Sequence, residues 1–137
     1  MPGVRGILET ALYVRDVSRA AEFYRRVFGF NTLLEVDRLT ALSVADRDVL
    51  LLFKAGATAE PVATPGGVIP GHGGSGPTHF AFSIAADELS DWEKRLESEG
   101  VIVESRVDWP GGARSVYFRD PDKNLLELIT PGFWRIF

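Results

Sequence analysis

Residues 7–15 read ILETALYVR and residues 78–84 read THFAFSI, and the second stretch repeats the pattern of the first. In 7–15 the side chains alternate: Leu8, Thr10, Leu12 and Val14 share one face and Ile7, Glu9, Ala11 and Tyr13 the other, the period of a half-buried strand. Glu9 therefore points away from the Leu8/Leu12/Val14 face. The segments downstream of the two stretches repeat as well. After the first, Asp16 is placed as the N-cap of a helix running through Phe28, with Ala20, Phe23, Tyr24 and Val27 at helical spacing and Gly29 as its stop. Strands are expected over 32–36, 39–44 and 48–54, the last two joined by a turn around Asp46-Arg47. After the second stretch comes a helix over 87–99, with Leu89, Trp92 and Leu96 inward and Gly100 behind it. Strands over 101–107, 115–119 and 125–130 complete the copy.

The halves align residue by residue. Glu9-Thr-Ala-Leu-Tyr-Val matches His79-Phe-Ala-Phe-Ser-Ile, Gly29 matches Gly100, and Asp46-Arg-Asp-Val-Leu-Leu-Leu-Phe matches Asp122-Lys-Asn-Leu-Leu-Glu-Leu-Ile. A supersecondary unit repeated in this way need not bury its apolar face alone. The organisation is thus one domain of two modules: 1–54, a connector over 55–77, a second module over 78–130, and a tail over 131–137. The connector, AGATAEPVATPGGVIPGHGGSGP, is dense in Gly, Pro, Ala and Thr and shows neither period. A connector of this length usually covers something.

With 137 residues, 45% hydrophobic and 25% charged, the chain has the profile of one soluble domain with a real core. No apolar run approaches a membrane span and MPGVRGILE lacks the apolar core of a secretory signal, so a cytoplasmic location is expected. Without cysteine, disulfides, thiolate zinc sites and a cysteine nucleophile are excluded, and His, Asp and Glu are the strong metal ligands left. A net charge of −4 with no dense basic tract argues against nucleic acid, and Arg25-Arg26 reads as a solvated helix face.

The alignment has a chemical consequence. A pseudo-twofold relation between the modules gathers their first and last strands about one axis, and the equivalent positions there are Glu9, His79, Leu51 and Glu127. Three of the four are metal-ligand types set in apolar strands, where a charge needs a partner. Two readings stay open. In one, the three hold a metal. In the other, Glu9 is a rim carboxylate paired with Arg5 or Arg114, His79 a hydrogen-bonded core histidine and Glu127 an ion-paired strand residue.

On LETALYVRDVSRAAEFYRRVFGF, THFAFSI and SVYFRDPDKNLLELITPG the chain resembles the vicinal oxygen chelate superfamily, which includes glyoxalase I, extradiol dioxygenases, fosfomycin-resistance proteins and bleomycin-resistance proteins. The resemblance implies an α+β glyoxalase-like fold, two β-α-β-β-β modules forming an open eight-stranded cup. It also implies a divalent metal on Glu9, His79 and Glu127, with Leu51 at the position of a fourth ligand, and a homodimer. Three protein ligands leave open positions for a substrate that chelates through neighbouring oxygens, and one nitrogen with two or more oxygens suits Fe(II), Mn(II), Co(II), Ni(II) or Zn(II). The expected function is a metal-dependent enzyme with Glu127 or Glu9 as base, lyase or isomerase chemistry being favoured over ring-cleaving dioxygenation. The alternative is a metal-free binding protein of the bleomycin-resistance type, a cup lined by Phe53, Tyr13 and Trp134.

Further features complete the candidates. His72, in the glycine-rich connector, is either an acid/base or extra ligand at the cup mouth or an idle loop histidine. Tyr117 and Ser115 face opposite to Val116 and Phe118 and are placed to orient a substrate, and Arg114 to attract an anionic one. The run Gly71-His-Gly-Gly-Ser-Gly76 has dinucleotide-motif spacing but opens no helix, and Asp120, Asp122 and Asn124 lack the sixth-position glycine of a calcium loop and read as a hairpin turn. The tail PGFWRIF is expected to cap the cup or meet a partner subunit.

Overall fold

The computed structural model describes all 137 residues, which divide into two compact units, Met1–Ser75 and Gly76–Phe137. In the first unit, strand β1 (Glu9–Val14) leads into helix α1 (Val17–Phe28) and then β2 (Asn31–Val36), β3 (Leu39–Val44) and β4 (Asp48–Lys54), followed by a small hairpin, β5 (Val62–Thr64) and β6 (Gly67–Ile69). In the second, β7 (His79–Ser83) leads through a single 3-10 turn, Ala86–Glu88, into α2 (Leu89–Ser98), and then β8 (Ser105–Asp108), β9 (Arg114–Arg119) and β10 (Leu125–Ile129). The fold is α+β, two four-stranded sheets with few helices.

Each sheet is wound the same way. The first has the order β1-β4-β3-β2 and the second β7-β10-β9-β8, with the opening strand parallel to the strand of its own sheet that comes last in the chain and the remaining pairs antiparallel. The registers coincide too: Glu9 lies opposite Val49, two residues before Leu51, and His79 opposite Leu125, two residues before Glu127. Leu51 is flanked by Ala11 and Ala41, Glu127 by Ala81 and Tyr117. The alignment of the halves is therefore an alignment of backbone positions.

Local chemistry explains the element ends. The Asp16 carboxylate accepts from Arg19 N at 3.0 Å, and Gly29 takes the left-handed conformation (φ 74°) that closes α1 with its N–H on Arg25 O. Along α1 the buried residues are Ala20, Ala21, Phe23, Tyr24 and Val27, one stripe. The helix packs on β3 and β4, whose Thr40, Leu42, Leu50 and Leu52 are buried on alternate positions, together with Leu12 and Val14 of β1. In the second unit Val116, Phe118, Leu126 and Leu128 are buried in the same alternation, and Leu89 and Leu96 of α2 are buried while Trp92 is half-buried.

The structure differs from expectation in three places. The helix expected over 87–99 begins with the 3-10 turn, because Ala85 has no side-chain acceptor and its own N–H is instead met by the Glu88 carboxylate at 3.2 Å. The strand expected from 101 begins at Ser105, since Val101 N–H is still held by Leu96 O at the helix end. Within the connector, β5 and β6 form around Pro65-Gly66, with Thr64 Oγ1 donating to Gly67 O at 2.7 Å, and the segment up to Ser75 belongs to the first unit.

The turn between β9 and β10 is a hairpin turn and also an anchor. Asp120 Oδ1 accepts from the N–H groups of Asp122 and Asn124, both at 2.9 Å, and Asn124 Nδ2 donates to Asp120 Oδ2 at 2.9 Å. Asn124 Oδ1 then accepts from Thr78 N (3.1 Å) and Thr78 Oγ1 (2.9 Å), which ties the start of β7 to the start of β10. Asn124 is buried and bonds both Thr78 and the buried Asp120 carboxylate, so Asn124→Ala is expected to lower stability by about 1–3 kcal/mol. Thermal or urea unfolding checks this, and a loss within about 0.5 kcal/mol, the range of ordinary surface substitutions, would remove Asn124 from the anchor.

Candidate functional site

Glu127 lies in the middle of β10, its side chain only 8% exposed. Alternation puts it on the face opposite Leu126 and Leu128, which it shares with Ser115 and Tyr117 of β9 and with His79 and Ala81 of β7. A carboxylate so placed must be satisfied locally. Ser115 Oγ donates to its Oε1 at 2.5 Å, and Ser115 Oγ in turn accepts from the indole Nε1–H of Trp109 at 2.8 Å. An indole can only donate, so the directions along this relay are unambiguous: Trp109 to Ser115 to Glu127.

The second oxygen, Oε2, faces Nε2 of His79 at 3.3 Å. His79 is 48% exposed, and its other nitrogen, Nδ1, lies 2.9 Å from the carbonyl of Leu125, its register partner. A carbonyl can only accept, so Nδ1 carries the hydrogen. In the neutral ring Nε2 is then a lone pair aimed at a carboxylate lone pair. Two acceptors at this distance call for a proton or a cation between them. Their 3.3 Å separation lets both reach one ion at the usual metal–ligand distances of about 2.0–2.2 Å, and a ring N–H on a backbone carbonyl is how metal-binding histidines are commonly oriented.

Tyr117 stands directly across from Glu127 in the β9–β10 register, its ring centroid 6.2 Å from that of His79. Burial, then the Glu127 charge and the hydrogen bond to that carboxylate, hold its phenol above the ordinary tyrosine value, with Ser115 opposing. Arg114 is on the other face of β9 and is ion-paired with Asp108, its register partner, at 2.9 Å. Trp134 is 63% exposed and stacks edge-on against Phe133 at 4.8 Å, which in turn packs on Trp109 at 4.6 Å.

The first unit places the other candidates. Glu9 opens β1, exposed, on the same face as Tyr13. Tyr13 and Phe53, register partners on β1 and β4, stack at 6.0 Å. His72 comes over them from the connector: its Nδ1 is 2.6 Å from the Tyr13 hydroxyl and its ring meets Phe53 edge-on at 4.9 Å. Two backbone tethers hold it there, His72 N to Thr58 O at 2.8 Å and Thr58 Oγ1 to His72 O at 2.7 Å. Gly74 permits the crossing, since a Cβ there would lie 2.8 Å from the Tyr13 ring. His72 is thus a half-buried member of an aromatic cluster and not a free loop side chain.

Of the three expected metal ligands, the structure joins His79 and Glu127 in one unit and presents Glu9 on the other. No group of three His, Asp or Glu side chains is gathered at one point. Trp109 and Thr58 were not among the sequence candidates. For Trp109 the available signal was a donor-only indole beside a Pro110-Gly111-Gly112 turn. For Thr58 nothing in the sequence pointed to its tether.

The same architecture recurs in known proteins. The family model described as Glyoxalase/Bleomycin resistance protein/Dioxygenase superfamily matches residues 6–128. The chain is 28% identical over 128 residues to the metallothiol transferase FosB of Bacillus licheniformis, covering 93% of this chain and 76% of that protein. It is 28% identical over 120 residues to the catechol-2,3-dioxygenase of Bacillus subtilis, covering 87% of this chain and 39% of that one. The crystal structure of lactoylglutathione lyase from Agrobacterium tumefaciens superposes with a TM-score of 0.88 at 35% identity, covering 98% of this chain and 99% of that one. No helix is long and apolar enough to cross a membrane.

The Tyr117 environment yields a pH prediction. A phenol raised in the folded state keeps its proton after the unfolded chain has begun to lose its own. The stability it contributes is therefore whole below the ordinary value of 10.0 and is lost as pH rises from there through the folded-state value. Glu127→Gln removes the charge while leaving the burial. Tyrosinate absorbance, with Tyr117→Phe subtracted, should show the Tyr117 transition move down toward 10.0 in that variant. An unmoved transition would mean that burial alone sets it.

Proposed function

Because the chain belongs to the Glyoxalase/Bleomycin resistance protein/Dioxygenase superfamily, we propose that it is a divalent-metal-dependent enzyme acting on a small molecule that chelates through neighbouring oxygens. The observation that carries this reading is the His79–Glu127 pair: two acceptors turned to each other at 3.3 Å, one with its tautomer set by Leu125 O and the other with its orientation set by Ser115. The donor set fits a borderline ion such as Fe(II), Mn(II), Co(II), Ni(II) or Zn(II). In this reading Glu9, the position equivalent to His79 in the repeat, supplies the third ligand, and Leu51 leaves the fourth position to substrate or water.

A bound divalent ion would supply Lewis-acid stabilisation of negative charge developing on a substrate oxygen. The rest falls to the chain. Glu127 Oε1 is occupied by the Ser115 hydroxyl, so Glu127 serves first as an oriented anion, and the exposed Glu9 carboxylate is the less encumbered of the two proposed bases. The Tyr117 phenol, held protonated and with its one hydrogen given to the Glu127 carboxylate, keeps an oxygen that can accept from a substrate hydroxyl and so orient it. Within the first unit, Tyr13, Phe53 and His72 form an aromatic cluster with one polar edge that is suited to contacting an organic ligand. Lyase or isomerase chemistry is the favoured class, supported by the 35% identity to the lactoylglutathione lyase. A homodimer is part of the same reading, supported by the exposed apolar tail, where Ile136 is 92% exposed.

Elemental analysis after offering Mn(II), Fe(II), Co(II), Ni(II) and Zn(II) in turn tests the proposal. Wild type should retain a stoichiometric ion. His79→Ala and Glu127→Gln should lose it, and Glu9→Gln should weaken retention. A wild-type protein that keeps no ion, or variants that retain it equally, would replace the enzyme with a metal-free binding protein.

A further inference from the structure

We infer that Trp109 and Ser115 are positioning residues for the Glu127 carboxylate, and that the C-terminal tail holds Trp109 for this task. This rests on the metal reading and deepens it by adding the residues that set the carboxylate's orientation.

The duplication provides an internal control. In the register, Leu51 of the first unit corresponds to Glu127, Ala41 to Tyr117 and Leu39 to Ser115. Where the repeat has no carboxylate it has none of the polar supports either. The loops differ in step: β2 and β3 are joined by Asp37-Arg38 alone, whereas β8 and β9 are joined by 109–113, the segment that carries Trp109. The extra loop, the serine and the phenol all occur in the unit that has Glu127.

The geometry shows how the parts act together. Ser115 has one hydroxyl hydrogen. Because Trp109 can only donate, that hydrogen must go elsewhere, and it goes to Oε1 at 2.5 Å. Oε1 is thereby committed as an acceptor, and the carboxyl plane leaves Oε2 toward His79. Ser115 is 1% exposed, so water does not replace either partner. Trp109 is itself held from outside the sheet: Phe133 packs on its ring, Trp134 packs on Phe133, and Gly132 seats the tail against the loop. Gly111 and Gly132 meet so closely that a Cβ on Gly111 would lie 3.0 Å from Gly132 O and one on Gly132 would lie 3.1 Å from Gly111 O. Both have positive φ, 96° and 114°, where a side chain is strained in any case. Bonds from Gly132 N to Phe137 O and from Phe137 N to Trp134 O close the tail on itself.

The test uses the full chain and Co(II), whose visible absorption reports ligand geometry. Trp109→Phe keeps an aromatic ring beside Phe133 and deletes the indole N–H along with part of the ring area, while Ser115→Ala deletes the relay. Loss of such an outer contact typically weakens metal binding about ten- to a hundredfold, and both variants should show a loss of this kind with an altered Co(II) spectrum. Because Trp109 acts through Ser115, adding Trp109→Phe to Ser115→Ala should cost nothing more. Wild-type Co(II) affinity and spectrum in Trp109→Phe, or a full additional loss in the double variant, would overturn the inference.

A second measurement reads the relay with no metal present. In the metal-free protein the Trp109 indole N–H, identified by its absence in Trp109→Phe, should exchange slowly with solvent and shift in both Ser115→Ala and Glu127→Gln. If wild type binds no Co(II) while the indole responds in this way, the metal reading falls and the positioning of Glu127 stands. An indole signal indifferent to both substitutions sinks the relay whatever the metal does.

Discussion

A carboxylate in the middle of a central strand cannot be left to solvent, and the second unit is arranged around that requirement at Glu127. Two strands flank β10, so Glu127 has neighbours on both sides, and each contributes. From β9 come Ser115, which donates, and Tyr117, whose phenol is pushed up by burial and by the carboxylate's charge. From β7 comes His79, which cannot donate through Nε2 in its neutral form because its hydrogen is spent on Leu125 O. One carboxylate oxygen thus accepts from Ser115, and the other faces the His79 ring at 3.3 Å.

The parallel pairing of β7 with β10 is what brings the histidine to the glutamate. Nothing in the order of residues makes 79 and 127 neighbours. The Asp120–Asn124 turn does, by accepting the Thr78 N–H and hydroxyl and so setting where β7 begins. Slipping β7 by one residue would turn His79 to the other face and bring the phenylalanines out. Phe80 and Phe82, half-buried on the alternate positions of β7, thus help to hold the histidine in place, since their burial resists the slip.

The first unit runs the same backbone program with different side chains and a different outcome. Leu51, Leu39 and Ala41 make its corresponding face apolar, and the polar element arrives from the connector in the form of His72. Its contact with Tyr13 depends on a close backbone approach at Gly74 and on the paired tethers to Thr58. The second copy sets a buried carboxylate in the middle of its last strand, whereas the first has Leu51 there, keeps the exposed Glu9 at the start of β1 and borrows a further polar edge from a loop. Divergence of this kind lets a duplicated fold hold unlike groups at equivalent places.

Much of this was legible in the residue order. Alternation and helical spacing marked the strands and helices, Asp16 and Gly29 marked the ends of α1, and the repeat singled out Glu9, His79, Leu51 and Glu127 as equivalent. These are properties of local periodicity, which depends on near neighbours in the chain. The relay from Trp109, the tautomer of His79, the pairing of Arg114 with Asp108 and the docking of His72 on Tyr13 were not legible. Each joins atoms whose meeting depends on register, on a loop path or on the direction of a single hydrogen. The sequence by itself determined which positions correspond and which chemical types stand there. The tertiary structure alone decided which lone pairs face one another, because hydrogen bonds are directional and the backbone pairing that aims them is long-range.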